Sequence, residues 1–180
     1  MANKDFDIIR KELKETEENR EILIQLCRKT ITLSKKIIYA LHANKEPEHI
    51  QEIKDLVEQV KSNKVELGMK KVALQEYVEA LTYYHYIKEH KLASKEELKV
   101  DVESYLLGLC DLTGELVRRA VNRAIEEDKD EVQKIKKFVA DIYEEFLSFE
   151  LRNSDLRHKA DSLTWNLKKL EDVLFTMKTR

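Results

Sequence analysis

The sequence predicts an all-α fold, a single-domain bundle of about seven helices over residues 1–180. Only three glycines and one proline occur in 180 residues, too few for a fold built on many tight turns. Apolar residues recur at three-, four- and seven-residue steps, and no segment alternates as a half-buried strand does. Charged residues make up 38% of the chain and hydrophobic residues 42%, a balance typical of amphipathic helices around a core.

The first predicted helix is longer than a compact domain requires. Nothing between Asp5 and Leu41 breaks a helix, and at 1.5 Å per residue the segment would reach roughly 55 Å. We therefore expect this helix and the last one to bury apolar residues against another chain. Its apolar stripe comprises Phe6, Ile9, Leu13, Leu23, Leu26, Leu33, Ile37 and Leu41.

The second and third predicted helices are separated by a short segment that interrupts the helical pattern only weakly. Pro47 is expected in the first turn of the second helix, where its missing N–H costs nothing, and Ser62 and Asn63 would end that helix. The third helix is predicted from about Glu66 to His90. Its inward side chains would be Val72, Leu74, Tyr77, Val78 and Leu81.

Four more helices complete the predicted bundle. Ser94 and Glu97 have the spacing of a capping box, which predicts a short helix. Longer helices are predicted over about 102–125 and 132–149, and the last would start near Ser154. The apolar stripes of the final two helices contain Val132, Ile135, Val139, Ile142, Phe146 and Phe149, and then Leu163, Leu167, Leu170, Leu174 and Met177.

Charge and cysteine content exclude several classes of protein. With 33 Lys and Arg against 35 Asp and Glu, any attraction to nucleic acid must come from a local patch. No apolar run reaches the ~18 residues that span a bilayer, and the first residues contain no signal-peptide core. Cys27 and Cys110 lack metal-site spacing and are typical of core residues in a reducing compartment. We expect a cytoplasmic protein without a membrane partner.

Two acidic pairs are candidates for chemistry. Glu76 and Glu79 lie three residues apart, on one face of the third helix, for which a solvated face is the simplest interpretation. Asp111 and Glu115 lie on a narrow polar strip of a helix that is otherwise apolar on most sides. That strip would face a cleft, or form ion pairs of Asp111 with Arg118 or of Glu115 with Arg119.

Other residues limit the chemistry of this region. Gly108 and Gly114 indicate a close approach of another helix or of a ligand, because glycine weakens a helix interior. Carboxylates on neighbouring helices could hold Mg²⁺ or Mn²⁺ through hard oxygen ligands. A ferritin-like di-iron site is excluded because it needs Glu-x-x-His, and Glu79 is followed at three residues by Thr82.

Basic residues cluster beside both acidic pairs. Each cluster alone is typical of a solvated face, but basic side chains around an acidic metal-type site suit an RNA phosphate backbone. The candidate RNA-binding residues are Lys70, Lys71, Arg118, Arg119, Arg123, Arg157 and His158.

These segments resemble the translin family, and its translin-associated factor X (TRAX) branch most closely. Residues 74–80 and 105–116, with the later Asn122, resemble the two acidic helices of that branch, whereas 151–157 and 167–171 are more similar to translin itself. The resemblance extends over roughly residues 5–180. It implies a seven-helix bundle that assembles into a hollow homo-octamer and holds RNA or single-stranded nucleic acid in its interior.

The resemblance also implies an activity. It identifies Glu76, Glu79, Asp111 and Glu115 as catalytic residues and as ligands of one or two Mg²⁺ (or Mn²⁺) ions. The expected function is a metal-dependent endoribonuclease of the TRAX type. The alternatives are a non-catalytic, translin-type oligomer that binds RNA or single-stranded nucleic acid, and a purely structural helical assembly.

Overall fold

The computed structural model describes residues 2–152 and 155–179. These residues form seven helices and no strand, so the all-α prediction is confirmed. The predicted start of the last helix at Ser154 lies outside the described residues. The helices are α1 (Ala2–His42), α2 (Ile50–Ser62), α3 (Gly68–Glu89), α4 (Lys95–Leu98), α5 (Val102–Ile125), α6 (Lys129–Leu147) and α7 (Asp155–Thr179).

Side-chain caps fix the starts of the middle helices. The predicted capping box of α4 is confirmed: the Glu97 N–H donates to Ser94 Oγ at 3.2 Å, and the Ser94 N–H donates to Glu97 Oε2 at 2.6 Å. Asp101 caps α5 by accepting from the Ser104 N–H at 2.9 Å. These caps satisfy backbone donors that have no partner inside the helix.

Helix ends are formed without glycine. Asn44, His90, Lys99 and Glu127 have left-handed backbones, with φ between 53° and 62°. Helices commonly end on a residue of this conformation, which glycine adopts with the least strain. A chain with three glycines can therefore end its helices sharply, at the cost of strain in ordinary residues.

The prediction for Pro47 was wrong. It lies buried in the connection between α1 and α2, three residues before α2 begins. The Ile53 N–H donates to the carbonyl of His49 at 3.0 Å, so the first turn of α2 starts after the proline.

The chain divides into two compact units, 1–77 and 78–180. The border falls inside α3, which continues through both units, and a single domain over 1–180 stays a prediction. In the first unit α1 packs on α2, and in the second α5, α6 and α7 pack on one another. The fully buried side chains include Leu23, Ile37, Ile53 and Val57 in the first unit, and Leu112, Leu116, Ile135, Leu163 and Leu170 in the second.

The two halves of α1 differ in burial. Every side chain from Asp5 to Ile22 is exposed, including Phe6 at 57% and Leu13 at 65%. From Leu23 onward the same stripe is buried or half-buried. The exposed half carries the apolar residues that we expect a second chain to cover.

Two predicted core residues are exposed. Val72 is 45% exposed because it lies on the face of α3 that carries Glu76 and Glu79, whereas Leu74 faces the core. Phe149 is 41% exposed because it lies beyond the end of α6. No helix in the described part of the chain is long and apolar enough to cross a membrane.

Candidate functional site

The acidic pair of α3 does not lie on an open solvated face. Glu76 and Glu79 are both half-buried. Glu76 Oε1 lies 3.8 Å from Lys35 Nζ of α1, within the first unit. The solvated surface expected from the sequence therefore holds only in part, because both carboxylates are half-buried while Val72 on the same face is 45% exposed.

The acidic pair of α5 is half-buried as well, one turn apart on the predicted polar strip. Asp111 Oδ2 accepts a hydrogen bond from Lys159 Nζ of α7 at 2.6 Å, and the two side chains are 25% and 29% exposed. Glu115 Oε2 lies 3.7 Å from a guanidinium nitrogen of Arg118. Each carboxylate thus has a basic side chain beside it.

The ion pairs predicted for α5 were assigned to the wrong partners. Asp111 is bonded to Lys159 and not to Arg118, which lies beside Glu115. Arg119 Nε lies 3.5 Å from Glu131 Oε1 of α6, and both side chains are only 12% exposed. Sequence spacing along one helix could not show which residues α6 and α7 bring to it.

A second contact fixes α7 beside α5. Asn166 Nδ2 donates to Thr113 Oγ1 at 2.8 Å, and that hydroxyl donates to the carbonyl of Cys110 at 2.7 Å. Asn166 lies two turns after Lys159 on α7, so two polar contacts flank the acidic strip. The position of Asp111 relative to α7 is therefore set by the fold.

Burial keeps the neighbouring thiol unreactive. It raises the pKa of Cys110 to about 12, and the negative charge of Asp111 acts in the same direction. Cys27 is also buried, which raises its pKa. Both thiols stay protonated at neutral pH, so they serve as core residues, in line with their interpretation from the sequence.

A buried polar cluster lies elsewhere in the second unit. Arg119 and Glu131 lie near Tyr83 and Tyr86, whose side chains are almost fully buried. Burial raises the pKa of Tyr83 to about 12, and Arg119 opposes this rise through its charge and a hydrogen bond. No motif in the sequence pointed to this cluster, because its members come from three helices.

The predicted RNA-binding residues fall into two groups. Arg118 and Arg157 are well exposed, with 59% and 57% of their side chains accessible, and His158 is exposed too. Lys70, in contrast, is 13% exposed and donates to the carbonyl of Asn63 at 2.9 Å. The remaining candidates are less accessible: Lys71 and Arg123 are half-buried, Arg123 pairs with Glu126, and Arg119 is held by Glu131.

The chain matches the Translin family over residues 18–180. It belongs to the Translin family. Translin-associated protein X of Rattus norvegicus is 27% identical, over 97% of this chain and 78% of the relative. The TRAX-type resemblance of the sequence is thereby confirmed.

Solved structures of similar chains confirm the fold. A structure described as apo-NeC3PO has 30% sequence identity and a TM-score of 0.89, over 96% of both chains. A complex of AfC3PO with duplex RNA contains a chain of 24% identity and a TM-score of 0.80, over 97% of this chain and 96% of that one. The translin-like helical architecture is therefore shared with both.

Of the two alternatives stated for Gly114 in this Translin-family helix, a close approach of another helix is not found. A Cβ added to Gly114 would meet no heavy atom within 4 Å, so this glycine does not mark a close helix contact. It lies between Asp111 and Glu115, and the space beside it is open. This leaves room next to the acidic strip.

The number of donor side chains limits the kind of metal site that this region can form. Among the described residues, no group of three or more His, Cys, Asp or Glu side chains is placed to hold an ion. Mg²⁺, however, commonly takes one or two carboxylates and completes its shell with water and substrate phosphate. The half-buried carboxylates Asp111 and Glu115, one turn apart, fit that mode, whereas their basic neighbours would compete with the ion. Convergence of all four carboxylates stays a prediction, since Glu76 lies in the first unit and the other three lie in the second.

Proposed function

We propose that this Translin-family chain is a metal-dependent endoribonuclease of the TRAX type. The observation that carries the proposal is the α5 strip, where Asp111 and Glu115 are half-buried and one turn apart, beside the open space at Gly114. Burial of a carboxylate is costly unless positive charge compensates it. A site that keeps two such groups beside open space is suited to cations and phosphates.

The proposed ligands are Asp111 and Glu115 of α5 with Glu76 and Glu79 of α3, for one or two Mg²⁺ (or Mn²⁺) ions. When bound, such an ion polarises a phosphodiester and lowers the pKa of a coordinated water. The protein contributes the geometry: α7 fixes the register of Asp111 through Lys159 and Asn166. Partial burial of the carboxylates strengthens their interaction with a cation.

RNA is the proposed substrate. One structural neighbour was solved with duplex RNA. The exposed Arg118 lies on α5, the helix of Asp111, and the exposed Arg157 lies on α7, which contacts Asp111 through Lys159. Guanidinium groups bind phosphate oxygens through two parallel hydrogen bonds. We assign phosphate contacts to these two arginines and His158 rather than to Lys70 and Arg119, whose side chains are mostly buried.

The proposed assembly is a homo-oligomer, an octamer with RNA inside. It is supported by the exposed apolar residues of α1, since a partner chain would bury them. Leu13→Asp should shift the assembly to smaller species in multi-angle light scattering, whereas Lys14→Asp, on a neighbouring exposed position, should leave it intact. A monomeric wild-type protein at micromolar concentration would contradict this assembly.

A non-catalytic RNA-binding oligomer is the second candidate. It is favoured by the missing three-ligand group and by the basic residues that already lie beside Glu76, Asp111 and Glu115. In such a protein the carboxylates would serve only in ion pairs. RNA binding without any cleavage in the presence of Mg²⁺ or Mn²⁺ would establish this candidate.

Cleavage of a short RNA decides between them. Wild type should cleave with Mg²⁺ and not with EDTA, and Glu79→Ala and Glu79→Gln should lower the rate at least ~100-fold, as expected for a metal ligand. Glu89→Gln is the matched control, because it changes an exposed carboxylate on the same helix. Equal loss in the control, or none in the Glu79 variants, would remove Glu79 from the site.

A further inference from the structure

Lys159 joins α7 to α5 near the start of α7. Its Nζ is 2.6 Å from Asp111 Oδ2, and both side chains are more than two-thirds buried. The lysine belongs to α7, 48 positions away in sequence, so the contact exists only in the folded chain. Its neighbours Arg157 and His158 are exposed, and they form the basic start of α7.

Positive charge beside Asp111 is therefore built into the protein. A divalent ion bound to the same carboxylate would place two cations within a few ångströms of each other, and their repulsion is strong in a partly buried site. Lysine can resolve this conflict, because its ammonium sits on a flexible four-carbon stem. A lysine on the first turns of α7 can turn outward beside Arg157 and His158.

We propose that Lys159 is an exchangeable counterion of the site. It neutralises Asp111 while no metal is bound, and it moves to an RNA phosphate when a divalent ion takes its place. The inference rests on the proposed function, since it assumes that Asp111 is a metal ligand. Lys159 would thus compete with the metal for Asp111 and, once displaced, bind an RNA phosphate directly.

This dual role predicts two opposite changes in affinity. Removing the ammonium should strengthen metal binding, because a competing cation is gone. It should weaken RNA binding only when metal is present, because without metal Lys159 is engaged by Asp111. If Lys159 only stabilised the helix contact, removing its ammonium would not strengthen metal binding, and it would not weaken RNA binding selectively in the presence of metal.

The test compares Lys159→Met with wild type, Lys159→Arg and Lys136→Met. Methionine keeps the apolar stem of lysine, and arginine keeps the charge. Lys136→Met is the matched control, because Lys136 forms a similar lysine–carboxylate contact from α6 to Glu171 of α7 at 3.6 Å. Mn²⁺ affinity is measured by calorimetry without RNA, and RNA affinity by fluorescence anisotropy in EDTA and in Ca²⁺.

We expect Lys159→Met to bind Mn²⁺ about tenfold more tightly, since a nearby charge has been removed. Its RNA affinity should fall about tenfold in Ca²⁺, as for a lost charged hydrogen bond, and stay unchanged in EDTA. Mn²⁺ should also raise its melting temperature more than that of wild type. Lys136→Met should behave as wild type in all of these measurements, and Lys159→Arg, which keeps the charge, should not bind Mn²⁺ more tightly than wild type.

Two failures can be distinguished. If wild type binds Mn²⁺, Asp111→Asn abolishes that binding and Lys159→Met binds no more tightly, the exchange is overturned and the metal site stands. If neither wild type nor Lys159→Met binds Mn²⁺, the metal site and the exchange are both overturned. A Lys159→Met protein with lowered stability but unaltered affinities would make the contact structural only.

Discussion

Two ion pairs of the second unit differ in distance and in exposure to solvent, and we expect them to have different roles. Lys159 and Asp111 meet at 2.6 Å with a quarter or more of each side chain exposed, whereas Arg119 and Glu131 lie 3.5 Å apart with 12% exposed. Tyr83 and Tyr86 lie near the second pair, and open space beside Gly114 lies near the first. We call Lys159 with Asp111 the open pair, and Arg119 with Glu131 the closed pair.

The side chains themselves fit this difference. Arginine is planar, keeps its charge and presents donors in a fixed geometry, which suits a permanent buried contact. Lysine offers a compact charge on a flexible stem, so its contact can be broken and remade. The closed pair should therefore determine stability, and the open pair should determine activity.

Asp111→Asn should produce the largest effect on activity. It keeps the shape of the side chain but removes the charge from the open pair, so metal-dependent RNA cleavage should fall at least ~100-fold. RNA affinity in EDTA should persist or rise, because one repelling carboxylate is gone. Cleavage rate, anisotropy and melting temperature are measured on the same sample.

Stability should fall less in Asp111→Asn than in Glu131→Gln, because the open pair is more exposed than the closed pair. Full cleavage activity together with a marked loss of stability would show that Asp111 stabilises the fold and takes no part in cleavage. The two pairs would then have the same role.

Glu131→Gln should produce the largest effect on stability. Breaking the closed pair leaves the charge of Arg119 buried, which costs about 3 kcal/mol. Urea unfolding measures this loss, and cleavage per folded molecule should stay at the wild-type level. Glu126→Gln is the control, because it breaks the more exposed contact with Arg123 and should cost less than ~1 kcal/mol. A cleavage defect in folded Glu131→Gln would show that the closed pair also supports the site.

The smallest effect concerns alkaline pH. The pKa of Tyr83 is about 12 in the folded chain, against about 10 for an unperturbed tyrosine. The unfolded state therefore loses this proton first, so the stability that Tyr83 contributes is complete below pH ~10 and falls between pH ~10 and ~12. Tyr83→Phe should show a shallower loss of unfolding free energy over pH 9–11 than wild type. Equal slopes would mean that Tyr83 ionises as readily in the folded chain as in the unfolded one.

The sequence was sufficient for features that depend on one helix. Residues Val102 to Ile125 were predicted as a helix and form one, because Asp101 caps its start and its apolar residues have helical spacing. The same spacing placed Asp111 and Glu115 on one strip. The family resemblance then supplied their proposed role, which periodicity alone left open.

Features that depend on two helices were missed. Lys159 and Glu131 are the actual partners of Asp111 and Arg119, and both come from helices whose placement beside α5 is set by the whole core. Pairing rules along one helix favoured Arg118 instead. The position of Pro47 was missed for a related reason, since the length of the α1–α2 connection depends on how the two helices pack.

In the proposed homo-oligomer, the exposed half of α1 would couple folding to protein concentration. Every side chain from 5 to 22 is exposed within the chain, and the segment is supported by helix continuation from Leu23, by a hydrogen bond from Asn63 Nδ2 to the Asn19 carbonyl and by surface pairs such as Lys11 with Glu15. Continuation avoids the cost of helix nucleation, but each added turn is only marginally stable in water. Amide hydrogens of this segment should therefore exchange quickly in dilute subunits and slowly once copies associate, so that assembly completes the secondary structure of α1.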